Sequence, residues 1–213
     1  MDSFQVFDVF VYVSAGSVLA PMACFLIVKG KNKVAKVLFV LLLASLASDI
    51  GNELYVRAGF RGYLILNIFF VTQIILLSQI FALLLERKKG IYVTLALFLV
   101  FGVLDTILFQ PINEYQNVLR LVGGVMMISF SVYYYFIFFA KPIPTIDIFR
   151  FSPGWIVTAV FYYFSYNLFL FVFANYVFRN ETREMAMLFW GFHGINNIIK
   201  NSLFTIGIYY GVK

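Results

Sequence analysis

The stretch Trp190-Gly-Phe-His-Gly-Ile-Asn-Asn-Ile-Ile-Lys-Asn201 lies inside the last apolar segment of a chain that is hydrophobic almost throughout. His193, Asn197, Lys200 and Asn201 recur at three- and four-residue spacing, as do Asn196 and Lys200, so a helix here carries them along one broad stripe. In a membrane that stripe has to face protein or trapped water, because a charge or amide turned to lipid at that depth is costly. Lys200 reads as the one basic residue that no interface can easily reach. Its partner is the first thing to find.

Working outward, the composition states why a membrane is in question at all. The 213 residues are 62% hydrophobic, 20% aromatic and only 12% charged, against about half apolar and about a quarter charged in soluble domains. An integral membrane protein of a plasma or bacterial inner membrane is expected. The net charge of +6 points to no nucleic acid, since the basic residues sit in short clusters between apolar segments, where they act as topology signals. One cysteine, Cys24, and one histidine leave no intrachain disulfide and no multi-histidine or cysteine-based metal site. Asp2 and Asp8 stand where a signal peptide would carry a basic flank, so no cleavable leader is expected.

Seven segments are each long enough to span a bilayer of about 30 Å as a helix: Phe4–Val28, Val34–Val56, Tyr63–Leu85, Ile91–Gln110, Leu119–Ala140, Gly154–Phe178 and Met185–Tyr210. The breaks between them are short, which predicts neighbouring antiparallel helices. The expected fold is therefore all-α, a single seven-transmembrane-helix bundle covering residues 1–213. Pro21 is the only proline deep in a segment and predicts a kink there, and Gly123-Gly124 predicts a close helix approach.

Charge sets the expected orientation. Lys29, Lys31, Lys33, Lys36, Arg87, Lys88, Lys89, Lys141, Arg150 and Lys213 fall on one side, and Arg57, Arg61, Arg120, Arg179 and Arg183 on the other. The positive-inside rule then puts the amino terminus outside and the carboxyl terminus inside. With that orientation and about 1.5 Å of rise per residue, Asp49, Glu53, Asp105 and His193 fall in the outer half of the bilayer. Asn197 and Lys200 step down to its middle. An outer-half polar cavity lined by Asp49, Glu53, Asp105, His193, Asn196 and Asn197 is one expectation. Single Asn and Ser residues in membrane helices often only bond neighbouring helices, and a structural ion pair is the plain alternative for Lys200.

A seven-helix chain of this size with a lone lysine midway down its last helix resembles the microbial rhodopsins. The resemblance implies Lys200 as the Schiff-base lysine for retinal, with Asn196 and Asn67 at the two counterion positions. Arg120 would then open the fifth helix, and Tyr166 and Phe173 would flank the chromophore ring. The family's third-helix Arg-Tyr-x-Asp-Trp signature is missing, and with Asn at both counterion positions an ordinary proton pump is not implied. Asp49, Asp105 or a bound anion would have to balance a protonated Schiff base.

Two functions from different classes follow. One is a retinal-binding photosensor or ion mover built on Lys200. The other is a retinal-free sensor or receptor with a ligand in the outer cavity, or a small transporter. No enzyme is expected, because no metal-ligand cluster and no Ser-His-acid spacing can be read. The expected partners are the lipid bilayer and either further copies of the chain or a cytoplasmic signalling protein.

Overall fold

Pro21 divides the first apolar segment. A proline lacks an amide hydrogen and its ring crowds the carbonyl four residues back, here that of Ser17. Ser17 and Val18 accordingly form a turn between α1 (Ser3–Gly16) and α2 (Leu19–Val28). The expected kink is thus a break. The remaining helices of the computed structural model are α3 (Lys33–Arg57), α4 (Tyr63–Leu84), α5 (Lys88–Leu108), α6 (Asn117–Ala140), α7 (Ser152–Asn180) and α8 (Arg183–Tyr210). The structure describes residues 3–30, 32–60, 62–85, 87–140 and 152–211. Of the charges used for orientation, Lys31, Arg61, Lys141, Arg150 and Lys213 lie outside the described residues, as does the connection 141–151.

Helix ends follow the local sequence. The Asn32 side chain accepts from the Val34 amide at 3.0 Å and starts α3, and Thr182 does the same for Met185 at 3.3 Å at the start of α8. Gly59, at φ 88°, closes α3 in a conformation that other residues adopt only with strain.

Among the described residues six helices are long and apolar enough to cross a membrane, counting Phe10–Val28 across the turn as one. α8 is not among them. It has 28 residues, but His193, Asn196, Asn197, Lys200 and Asn201 lower its hydropathy below that of the rest. A helix of this kind enters a bilayer only when neighbouring helices cover its polar stripe.

Those neighbours are present. α8 packs along α7 on one side and along α1 and α2 on the other. α7 continues onto α6, α6 onto α4, α4 onto α3, and α3 back onto α2, which closes a ring; α5 lies against α4 and α6 outside it. The interior is apolar and aromatic, with Leu38, Phe70, Ile74, Met127, Phe164 and Phe171 fully enclosed. The connections α3–α4, α5–α6 and α7–α8 gather at one end, and α2–α3 and α4–α5 at the other.

Gly123 is where α6 closes on α4. A Cβ there would meet the Phe70 ring at 2.9 Å and Ile74 at 3.2 Å. Gly123→Ala is expected to destabilise the bundle by about 1–3 kcal/mol through overpacking. At Gly191 nothing lies within 4 Å of an added carbon, so Gly191→Ala is expected to stabilise α8 by about 0.5–1 kcal/mol. Thermal unfolding in detergent compares the two, and equal effects would contradict the packing described.

Candidate functional site

Arg120 sits in the first turn of α6 and turns inward, with 8% of its surface exposed. Its Nη2 donates to the Leu66 carbonyl and to Asn67 Oδ1, each at 3.0 Å. The guanidinium carbon lies 4.8 Å from the centre of the Phe70 ring and 4.4 Å from that of Tyr115, a cation–π arrangement on two sides. Among the described residues no carboxylate reaches ion-pair distance of it, and its Nε has no hydrogen-bond partner. Arg120, which the sequence reading counts as a topology signal at a segment end, is thus also turned into the protein.

Asn67 makes that placement possible. Its Nδ2 donates to the carbonyls of Ile112 at 2.9 Å and Glu114 at 2.7 Å. One buried amide on α4 therefore pins the α5–α6 connection and supplies an oxygen to Arg120. Within the same connection, burial holds the Tyr115 hydroxyl above its ordinary range, with Arg120 opposing the shift.

The α8 stripe resolves into two faces. On the α7 side, His193 Nδ1 donates to Asn167 Oδ1 at 2.8 Å, and Asn167 Nδ2 donates to the Tyr163 carbonyl at 2.7 Å. The Trp190 ring stacks on His193 with centroids 5.0 Å apart, and Tyr163 meets the same imidazole edge-on at 5.8 Å. Further along α8, Lys200 Nζ lies 4.5 Å from the centre of the Tyr163 ring. Lys200 is 6% exposed. Among the described residues no carboxylate reaches ion-pair distance of it. Asn196 belongs to this face too, accepting from the Tyr162 hydroxyl at 3.1 Å.

The other face of the stripe holds the broken first crossing. Asn201 Nδ2 donates to Ser17 Oγ at 2.7 Å, and Asn197 Nδ2 approaches the carbonyl and hydroxyl of Ser14 at 3.4 Å. Ser14 Oγ donates to the Gly194 carbonyl at 3.2 Å. These bonds fasten α8 across the turn that Pro21 makes.

The other expected site residues scatter. Tyr166 and Phe173 are 62% and 43% exposed and stand on the outward face of α7; the inward positions are Tyr163, Phe164, Asn167 and Phe171. Asn67 is taken up by Arg120 and the α5–α6 connection. Glu53 bonds the exposed Arg57 at 2.7 Å one turn away. Asp105 is 1% exposed on α5, both its oxygens lack a partner, and α5 packs on α4 and α6 rather than on α8. His193 remains beside Tyr163, and Asp49 is half-buried on α3. Among the described residues no ion pair gathers Asp49, Glu53 or Asp105 with His193.

A cavity of about 630 Å³ opens at the end of the bundle that holds the α3–α4, α5–α6 and α7–α8 connections. Asn52, Tyr63, Glu114, Tyr115, Asn175 and Trp190 line it, with Val56, Phe60 and Leu66 between them. Asn175 is fixed by a 3.0 Å bond to Asn117, which Gln110 also contacts. Its walls combine aromatic rings with two amides and one carboxylate. None of the six polar and aromatic liners belonged to the expected site. Each is close to a helix end, where an aromatic or amide reads equally well as an interfacial anchor.

Comparison of the chain with protein-family models, with curated proteins and with solved structures gives no match. The likeness to microbial rhodopsins therefore rests on layout and on Lys200.

Proposed function

We propose that this chain is a membrane-embedded receptor that crosses the bilayer seven times, with α8 as the last crossing, and takes a small ligand in the cavity from the outer side. The orientation is supported by charge. Among the described residues, Lys29, Lys33, Lys36, Arg87, Lys88 and Lys89 occupy the end opposite the cavity, against Arg57, Arg120, Arg179 and Arg183 at the cavity end.

One observation carries the reading: Trp190 is both a wall of the cavity and the ring stacked on His193. A ligand that repacks Trp190 acts on His193, and through Asn167 on Tyr163, whose ring lies against Lys200. An event at the mouth is thereby passed to the buried ammonium of Lys200. Further copies of the chain or a cytoplasmic partner would read the result.

The chain has two tryptophans, so Trp155→Phe isolates Trp190 as a fluorescent reporter. In a screen of small organic molecules, a ligand that saturably shifts Trp190 emission is expected also to move the His193 ring resonance. A ligand that moves Trp190 alone would break the relay. For the orientation, in a Cys24→Ser background an impermeant thiol reagent is expected to label Asn113→Cys from outside and Lys33→Cys only after permeabilisation. The reverse pattern overturns it.

A second reading is a retinal protein. It is favoured by one feature, a buried lysine at mid-helix without an ion-pair contact among the described residues, which conversion to an imine would also render tolerable.

A further inference from the structure

The basic end of the bundle is built like a phospholipid turned inside out. On α3, Lys33 and Lys36 stand one turn apart and exposed, and Val40 and Leu43 continue the same exposed stripe deeper along the helix. On α5, Lys88 and Lys89 are exposed at the start, followed by exposed Tyr92, Val93 and Leu97. Each stripe has ammonium groups at the rim and bare hydrocarbon directly beneath. Lys29 and Arg87 extend the rim, Lys29 capping α2 in the left-handed conformation and Arg87 lying 6.0 Å over the Tyr133 ring. Among the described residues no carboxylate lies at this end.

We propose that this rim is a binding surface for anionic phospholipid, one headgroup phosphate held by Lys33 and Lys36 on α3 and another by Lys88 and Lys89 on α5, with acyl chains along the stripes below. Charge complementarity selects the occupant. A second copy would bring the same positive rim and repel it. Free phosphate would leave the apolar stripe without a partner, and a nucleic acid has no hydrocarbon to lay on it. Lysines near an anionic bilayer surface each add to the attraction, which fades beyond the screening length. The surface lies at the opposite end from the ligand cavity, so the inference does not rest on the receptor reading.

The test uses the full chain in nanodiscs of mixed phosphatidylglycerol and phosphatidylcholine, with native mass spectrometry of the lipids retained on release. The protein is expected to retain phosphatidylglycerol over phosphatidylcholine by roughly tenfold or more relative to the bulk mixture. Replacing Lys33, Lys36, Lys88 and Lys89 together by Gln is expected to bring retention close to the bulk ratio. The two paired variants, Lys33→Gln with Lys36→Gln and Lys88→Gln with Lys89→Gln, should each lose part of the preference, so the result does not depend on the fourfold variant folding. Excess inorganic phosphate should displace none of the lipid; displacement would make free phosphate the ligand and overturn the proposal. Equal retention of both lipids by the unaltered protein, or an undiminished preference in the paired variants, would overturn it as well.

Discussion

Asn67→Leu is expected to cost the protein about 3–5 kcal/mol, more than removal of the arginine it serves. The substitution keeps the size of the side chain but deletes three hydrogen bonds: two to the carbonyls of Ile112 and Glu114, and one from Arg120. The last is the serious loss. Arg120 is buried without a carboxylate in contact among the described residues, so its charge depends on the Asn67 oxygen, the Leu66 carbonyl and the two rings beside it. Breaking a buried charge's network leaves an uncompensated cation, whereas taking the cation away removes the penalty together with the bond. Arg120→Met should therefore cost less, about 1–3 kcal/mol, mostly from the unpaired Asn67 oxygen and lost ring contacts. The double variant should fall between the singles rather than at their sum. Unfolding in detergent, followed by helicity, ranks the three. If Arg120→Met proves the most damaging, the arginine is a structural post in its own right and Asn67 merely its neighbour.

The helices were legible because apolar length alone defines them, and most starts and stops fell within a few residues of the Lys, Arg and Gly clusters. Pro21 announced trouble in the first crossing, and only its degree, a turn rather than a bend, awaited the structure. The stripe was legible too: Asn196, Lys200 and Asn201 are buried on α8 and His193 is half-buried. Rotation about the helix axis was not. In a membrane both faces of a helix are apolar, so no polar side marks the outside, and Tyr166 and Phe173 could not be told from Tyr163 and Phe171 by pattern. Helix neighbours were equally hidden. Asp49 and Asp105 are expected at one depth, but α5 lies outside the ring, and nothing in its sequence states which helices flank it. Arg120 misled for a related reason: an arginine near a segment end reads as a topology signal unless the asparagine that can hold it is seen opposite.

Lys200→Glu is expected to prevent the bundle from forming, while Lys200→Met leaves it intact. The position is nearly closed to solvent. A carboxylate there would be buried with no basic residue in contact among the described residues to compensate. An uncompensated buried charge costs about 3–5 kcal/mol, a large part of the total stability of a domain. Methionine has nearly the same length, fills the space against Tyr163, and relieves the desolvation of the ammonium; such exchanges are often neutral or stabilising by about 1–4 kcal/mol. Expression and monodispersity in detergent separate the two variants directly. The same pair bears on the reading of the site. With the Tyr163 ring centre 4.5 Å from Lys200 Nζ, and Tyr163 nearly closed off, a polyene beside Lys200 would have to displace a packed side chain. Added all-trans retinal is therefore expected to leave the protein colourless, and Lys200→Met is expected to keep any ligand-induced shift of Trp190. A visible pigment, trapped on the α8 peptide by borohydride and abolished by Lys200→Met, would reverse that order and make Lys200 a cofactor-binding residue rather than the charged end of a relay.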